Sequence, residues 1–532
     1  MKLVAKITSK GVVFTLPWAV LLAGVPTEAS AQTSEPVELT APATPDGVPA
    51  ASAEALVPET ASVPAEDPVA VRAVGFVDSR WTGGYATVAR LLPANDSAHL
   101  QELTEANLQL KLSWPSGTLA YVDASFVHQR GWMYWGADKT GARVRVADHD
   151  VPSLRPAAIV SEAYAIWAPH DRFNVTLGKK RVLWGPGLAW NPTDLLNPPK
   201  DPTDPALQRA GTWLARAEIP MDTWTLSLVG AAKTTRQFGG LPSGLVWSPD
   251  NLPAGEVSDD RPHFAGAARL YALVAETDLN AMLYLTQLYN DAFEYKPRLG
   301  FSASHVFFNA LEAHAEVLVQ TGSARSYIDP ACTAGMPEMI ACVASGKSAV
   351  GYTQLVEGQY RVKSLLGVRY QFGENAAVSA EWFYNGEGYK EEEFKALAQA
   401  LALRRDTARM GLTLPASAMG SFGPSTSDPG TPQKFAFEPL RRNYLFLSYM
   451  HPQLADDFTI NTVVILGLSD LSGQFAPQLT WSAREWLNLT VGGFIALPGV
   501  ASLGVLAGGS QWTEYGLQPS LGRAFVSARA FF

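Results

Sequence analysis

The sequence predicts an all-β chain closed into a transmembrane antiparallel β-barrel of about 18 strands, within a range of roughly 16–18, with long extracellular loops. Three observations predict it. From residue 73 to the end, segments of roughly ten to thirteen residues alternate between apolar and polar side chains. The joins between them alternate between tight turns and long stretches. Beyond the N-terminal apolar run, no stretch is long and apolar enough to cross a membrane as a helix, so a membrane chain with this pattern must cross by strands.

Lys2, Lys6 and Lys10 precede an apolar run from Gly11 to Val25, and Ala29-Ser30-Ala31 follows with the small-x-small pattern of a cleavage site. Residues 1–31 therefore read as a signal peptide, with Gln32 starting the mature chain. Residues 32–70 form a Pro-, Ala-, Glu-, Thr- and Val-rich tract without a periodicity that could bury a face. They read as a disordered periplasmic leader, either a plain linker or a tether to the cell wall. Residues 71–532 are assigned to the barrel.

Within that region Leu108, Leu110, Leu112 and Trp114 alternate with Asn107, Gln109, Lys111 and Ser113, and Leu311, Ala313, Ala315 and Val317 alternate with Glu312, His314 and Glu316. The last segment sets Ala524, Val526, Ala528, Ala530 and Phe532 against Arg523, Phe525, Ser527, Arg529 and Phe531. One small apolar face and one face bearing arginines suit a strand with lipid on one side and a wet lumen on the other. Tight turns such as Pro115-Ser116-Gly117 and His170-Asp171 join the segments in pairs, whereas the intervening joins at 130–157, 182–210, 234–262, 322–355 and 387–440 are long. Two others, 291–296 and 468–473, are shorter than this pattern expects.

The formal charge is −9, and loss of the signal peptide removes three lysines and one glutamate, so the mature chain is mildly acidic. That balance argues against a nucleic-acid partner. Gly 44, Phe 23, Tyr 17 and Trp 15 against Met 9 favour a large sheet over helical domains. Cys332 and Cys342 are the only cysteines, and in an oxidising exported setting they pair as a structural staple rather than a redox switch. No ligand-spaced His or second Cys pair lies near them, so no metal is expected, and no cofactor motif is found.

The terminal Phe532, the signal peptide and the alternation together resemble the Gram-negative outer-membrane barrel proteins over nearly all of the mature chain. A more specific likeness lies in Gly178-Lys179-Lys180-Arg181-Val182-Leu183-Trp184-Gly185-Pro186-Gly187, continuing through Asn191-Pro192-Thr193-Asp194 to Asn197-Pro198-Pro199. It resembles the strand end and Asn-Pro loop of porin-like export barrels and of capsule-anchoring barrels. The resemblance implies residence in the cell outer membrane and contact with its lipid. It also implies delivery by the barrel-assembly machinery through Phe532, and passage or retention of a hydrophilic solute or polysaccharide. Service as the exit of an export system would add an inner-membrane exporter as partner.

Two sets of site residues follow. The loop 182–210 carries Trp184, Trp190, Asn191, Asp194, Asn197 and Asp201 amid prolines and glycines that stiffen it. Aromatic faces beside Asn and Asp suit sugar rings, so it is either a constriction or binding loop or a structural closure of the mouth. The alternation also turns Lys111, Arg216, Arg269, Arg298, Arg361, Lys363, Arg369, Arg484, Arg523 and Arg529 toward the lumen, together with Asp123, Glu162, Glu218, Glu312, Glu316 and Glu381. Facing rows of opposite charge set pore selectivity, and the basic excess points to mild anion preference; the alternative is that the charges pair and brace the lumen. Lys390–Arg405 reads as a helix with Phe394, Leu397, Ala398 and Leu401 on one stripe, either folded into the mouth or steadying its own loop.

Catalytic patterns are absent. Gly346-Lys347-Ser348 lacks the first glycine of a phosphate loop, and Gly300-Phe301-Ser302-Ala303-Ser304 fails as a nucleophile elbow at its last position. The reading is an outer-membrane channel, with a non-conducting polysaccharide-holding barrel as alternative. An outer-membrane hydrolase, for which only the nearness of His305 and His314 speaks, comes third.

Overall fold

The computed structural model describes residues 69–87, 96–137, 143–144, 150–151, 157–197, 202–203, 211–233, 263–287, 295–322, 330–345, 359–373, 375–396, 398, 439–497, 513–515 and 520–532. The strands are β1 (Ala70–Thr87), β2 (Asp96–Ser113), β3 (Leu119–Ala137), β4 (Ala157–His170), β5 (Phe173–Lys180), β6 (Thr212–Pro220), β7 (Trp224–Lys233), β8 (His263–Val274) and β9 (Thr277–Gln287). They continue as β10 (Tyr295–Phe307), β11 (Leu311–Thr321), β12 (Tyr360–Phe372), β13 (Ala376–Asn385), β14 (Asn443–Leu454), β15 (Phe458–Gly467), β16 (Ser472–Arg484), β17 (Leu487–Leu497) and β18 (Ser520–Phe531). Two further two-residue strands, Arg143–Val144 and Asp150–Val151, pair with β3.

Every strand pairs antiparallel with its chain neighbours, and β1 also pairs with β18 from Phe76↔Phe531 to Ala86↔Ser520, which closes the sheet. Reciprocal backbone hydrogen bonds of 3.0 Å between Gly75 and Phe532 fasten the end of that seam. Closure leaves none of the eighteen wall strands as an edge, the form that a hydrocarbon surrounding requires.

The side-chain alternation is resolved cleanly. On the outer face Leu108, Val122, Trp213, Leu228, Leu270, Leu283, Phe301, Val317, Leu366, Trp382, Val491 and Val526 are all exposed. Aromatic residues collect where the strands meet the short turns, with stacked rings for Phe372–Tyr449 at 6.3 Å and Phe458–Trp481 at 6.2 Å. This is an apolar outer belt with an aromatic girdle, and the chain is therefore a transmembrane barrel of the outer-membrane type. The tight turns and the C-terminus lie at one end, the periplasmic end, and the long joins at the other. Two turns show how short they are: Ala275 and Glu276, the two residues between β8 and β9, and Phe308 and Asn309, two of the three between β10 and β11, take positive φ between 48° and 61°, the twist that tight hairpins use.

All the alternating segments form strands, and the largest differences are at the outer ends of β2 and β3, which run on to Asp96 and Ala137, eight residues past the alternation. The short join between β15 and β16 is an outer turn, so its length left the up-and-down order intact. In the join after β11, helices α1 (Pro330–Thr333) and α2 (Met336–Ala344) are linked by the Cys332–Cys342 disulfide, with a Cα–Cα distance of 5.7 Å. Residues 391–396 are helical, with Phe394 and Ala396 buried; the rest of the Lys390–Arg405 helix lies largely outside the described residues. Residues 1–31, read from sequence as a signal peptide, and nearly all of 32–70, read as a leader, also lie outside them.

Candidate functional site: an inward segment and a charged wall

The chain leaving β5 does not stay at the rim. Residues 182–197 fold into the barrel and lie against its inner face. Val182, Trp184 and Leu196 join a buried cluster with Leu214 on β6, Val229 and Ala231 on β7, Ala265 and Ala267 on β8, Met282 and Tyr284 on β9, and Leu318 on β11. Leu188, Ala189 and Trp190 join a second with Leu365 on β12, Phe383 on β13, Tyr444 and Phe446 on β14, Val463 and Ile465 on β15, and Ala476 on β16. The Trp190 ring stacks on Phe383 at 5.0 Å and meets Tyr444 at 5.6 Å, and Trp184 meets Tyr284 at 5.7 Å. Each such ring contributes about 2–3 kcal/mol through burial.

Apolar contact sets where the segment lies, and two buried carboxylates set its register. The Gly187 amide donates to Glu316 Oε1 at 2.7 Å, and the Thr193 amide and hydroxyl donate to Oε2 at 3.1 and 2.7 Å. The Leu188 and Ala189 amides donate to Glu381 Oε1 and Oε2 at 2.5 and 2.9 Å. The Gly-Pro-Gly run is what permits this approach: a Cβ on Gly185 would stand 2.7 Å from Glu316 Oε1, and Gly185 takes φ +94°. Tyr284 donates its hydroxyl to the Thr193 carbonyl.

Behind Glu381, His314 Nε2 lies 2.9 Å from Glu381 Oε1 and donates a proton there, while Nδ1 is 3.6 Å from Glu312 Oε1, too far for a hydrogen bond. His314 reaches Glu381 across Gly367, where a Cβ would come within 2.1 Å of Nε2. Gly367→Ala should therefore push the imidazole off Glu381 and lower barrel stability by about 1–3 kcal/mol, read as a lower thermal midpoint by circular dichroism.

The base of the segment is closed by its own polar residues. Asn197 accepts from the Val182 amide at 3.2 Å and donates to the Val182 carbonyl at 2.6 Å. Asp194 takes the Asn197 amide group at 2.8 Å, and Asn191 donates to the Gly185 carbonyl at 3.2 Å. Arg181, where the chain leaves β5, is held by Glu162 through backbone and guanidinium contacts of 2.8 Å each.

The wall from β17 through β18 and β1 to β5 is lined differently. Arg523 lies over Phe494 at 5.0 Å, Arg80 over Phe525 at 5.0 Å, and Arg529 over Phe76 at 4.6 Å. Arg529 also pairs with Asp78 at 3.2 Å. Beside them Ser125 donates to Glu105 at 2.6 Å, and Asn107 donates to Asp123 at 2.6 Å. Arg80, Arg181 and Arg529 keep 21–28% of their side-chain surface, so their charges meet water inside the barrel.

The expected lumenal residues fall as follows. Lys111, Arg298 and Arg369 face inward by register, beside Tyr121, Gln320 and Glu312 respectively. Arg216 pairs with Glu218 at 3.0 Å, Arg269 bonds Asn280 at 2.8 Å, Lys363 pairs with Glu387, and Arg361 reaches the Gly386 carbonyl at 3.4 Å. Arg484 differs. A bulge between Ser482 and Arg484 pairs it with Leu487, on the outward face, so it stands exposed at the periplasmic rim and not in the lumen. Trp184 and Trp190 differ too: at 1% and 7% exposure their faces are spent on protein contacts and offer nothing to a sugar. Asp201 lies outside the described residues. His305 faces outward with its Nδ1 3.0 Å from Thr277, away from His314, and Ser304 donates to Glu312.

Asp78, Arg80 and Glu105 were not singled out from sequence, and Arg181 entered only as part of the Gly178–Gly187 likeness. The signal was present for the first two, which alternate with Val77 and Ser79 on the first strand.

No family model matches the sequence, and no curated protein matches it significantly. Among solved structures the chain is similar to Pseudomonas aeruginosa OccK7 (OpdD), at 9% identity over 87% of this chain and 98% of that one, with a TM-score of 0.43. It is also similar to Pseudomonas aeruginosa OccK5 (OpdH), at 9% identity over 86% and 97%, TM-score 0.42, and to a mutant of Rh. blastica porin, at 9% over 87% and 100%, TM-score 0.37. At TM-scores this low the likenesses carry no weight, and the architecture rests on the strand pairing itself.

Proposed function

We propose that the protein is an outer-membrane, porin-like channel for hydrophilic solutes, narrowed by residues 182–197. The observation that carries this reading is the division of the lumen. The segment covers the inner face from β6 to β16 through apolar contacts, and the remaining wall from β17 to β5 presents water-accessible charge. A barrel this wide cannot be filled by its own wall side chains, so the charged side is the path. Lys111, Lys180, Arg181, Arg80, Arg523 and Arg529 outnumber Asp78, Glu105, Asp123 and Glu162 along it, which supports mild anion preference. In this reading the protein conducts and performs no reaction.

The test is single-channel conductance of the refolded protein in a planar bilayer, with reversal potential taken in a salt gradient. Steady openings with anion preference are expected, and Arg80→Gln with Arg523→Gln should reduce or invert that preference. A folded barrel that stays silent would overturn the channel reading.

A further inference from the structure

Thr513–Tyr515 belong to the outer join between β17 and β18, yet they are inserted in the barrel mouth. Thr513 is 1% exposed and Glu514 5%. Tyr515 packs in the same buried cluster as Leu188, Ala189 and Trp190 of the inward segment, so this short piece is seated against the constriction. Its anchor is Glu514, whose carboxyl and backbone amide together tie three outer joins. Glu514 Oε1 accepts the Leu440 amide at 2.8 Å, from the join before β14. The Tyr444 hydroxyl lies 2.8 and 2.7 Å from the two carboxyl oxygens and can donate to one at a time. The Glu514 amide donates to Asp470 Oδ2 at 2.8 Å, in the turn between β15 and β16. Asp470 in turn accepts from Ser472, whose hydroxyl oxygen accepts the Tyr515 amide at 3.2 Å.

We propose that Glu514 is a proton-operated latch that keeps Thr513–Tyr515 seated against the inward segment while it is protonated and releases them when it ionises.

The groups around the carboxyl act in opposite directions: the Leu440 amide and the Tyr444 hydroxyl, both donors, favour the carboxylate, whereas burial and Asp470 favour the neutral acid and outweigh them. On β14 and in the strand's approach stand Tyr444, a neutral donor, and Arg441, which is already paired with Glu391 and lies over Phe394 at 4.5 Å. On the β15–β16 turn stands Asp470, a like charge; from the segment itself comes Tyr515. Ionised Glu514 would be a second anion in a dry pocket beside Asp470, and the cation that favours it, Arg441, is shared with Glu391. Burial first, and then Asp470, push its carboxyl up from 4.5 to about 7. The sign follows directly. The seated state is fully supported below pH 4.5, loses support about tenfold per pH unit as pH rises, and has lost it all above about 7.

The test labels the full-length barrel in detergent micelles, where both ends of the barrel are open to the reagent. A Thr513→Cys variant is reacted with a charged methanethiosulfonate across pH 5 to 8, and each rate is divided by that of an exposed control, Ser116→Cys, to remove thiolate chemistry. The normalised rate should rise by about tenfold or more between pH 5 and 8. In Glu514→Gln, neutral at every pH, it should stay low throughout. Asp470→Asn, by removing the like charge, should move the transition to lower pH. A normalised rate that is flat in the parent, or a transition that survives Glu514→Gln, overturns the latch. Labelling needs no conduction, so its outcome is independent of whether the barrel proves to be a channel.

Discussion

Replacing residues 183–196 by a short Gly-Ser linker is expected to leave a folded barrel and raise single-channel conductance by about twofold or more. The barrel itself does not depend on the segment. The wall is held by continuous antiparallel ladders and closed by the β1–β18 pairing, none of which uses residues 183–196. What the segment occupies is lumen. Its removal uncovers Leu318, Leu365, Phe383, Tyr444, Phe446 and Ile465, all at most 4% exposed, so the widened pore gains an apolar inner face. Ion preference should consequently fall toward neutral, because ions no longer pass close to Arg80, Arg523 and Arg529. Conductance and selectivity changing together is the expected signature; an unchanged conductance would place the ion path elsewhere.

The strands were legible because a barrel wall repeats one physical rule. Lipid outside and water inside impose period two, and a segment such as Leu311–Thr321 carries that rule in its own residues. The inward segment was legible only as an unusual loop. Trp184 and Trp190 suggested exposed aromatic chemistry, whereas their rings are buried against Tyr284 and Phe383, residues far along the chain. A partial signal did exist. In Glu316-Val317-Leu318-Val319 and in Leu365-Leu366 the inward register turns apolar toward the outer half of the strand, so both faces are apolar at once. That pattern means something other than water covers the inner face at that height. What single-strand patterns could not reveal is the partner, since the contact between Gly187 and Glu316 spans 129 residues. Arg484 was misplaced for a related reason: a bulge breaks the period locally, and nothing in the alternation announces it.

Glu381→Ala should be among the most damaging single substitutions in the lumen. Glu381 is fully buried and receives two backbone amides, Leu188 and Ala189, along with the His314 Nε2 proton. Truncation strands all three donors together. Hydrogen bonds to a charged acceptor are worth about 1.5–3 kcal/mol each, and a buried imidazole keeps only its 3.6 Å contact to Glu312, so the total cost should be roughly 3–5 kcal/mol. Because the wall is held separately, that loss need not unfold the barrel. It should show first as a loosened segment, with higher and noisier conductance, and then as a lower thermal midpoint. Glu381→Gln separates charge from shape. Its amide keeps one acceptor, yet its NH₂ faces donors, so it should fall between the parent and Glu381→Ala in both readouts. The double change Arg216→Ala with Glu218→Ala on β6, which removes a whole ion pair outside both contact clusters, serves as the control for removing a lumenal carboxylate. If Glu381→Ala matches that control in conductance and melting, the amides are held by packing alone and the carboxylate only tolerates them.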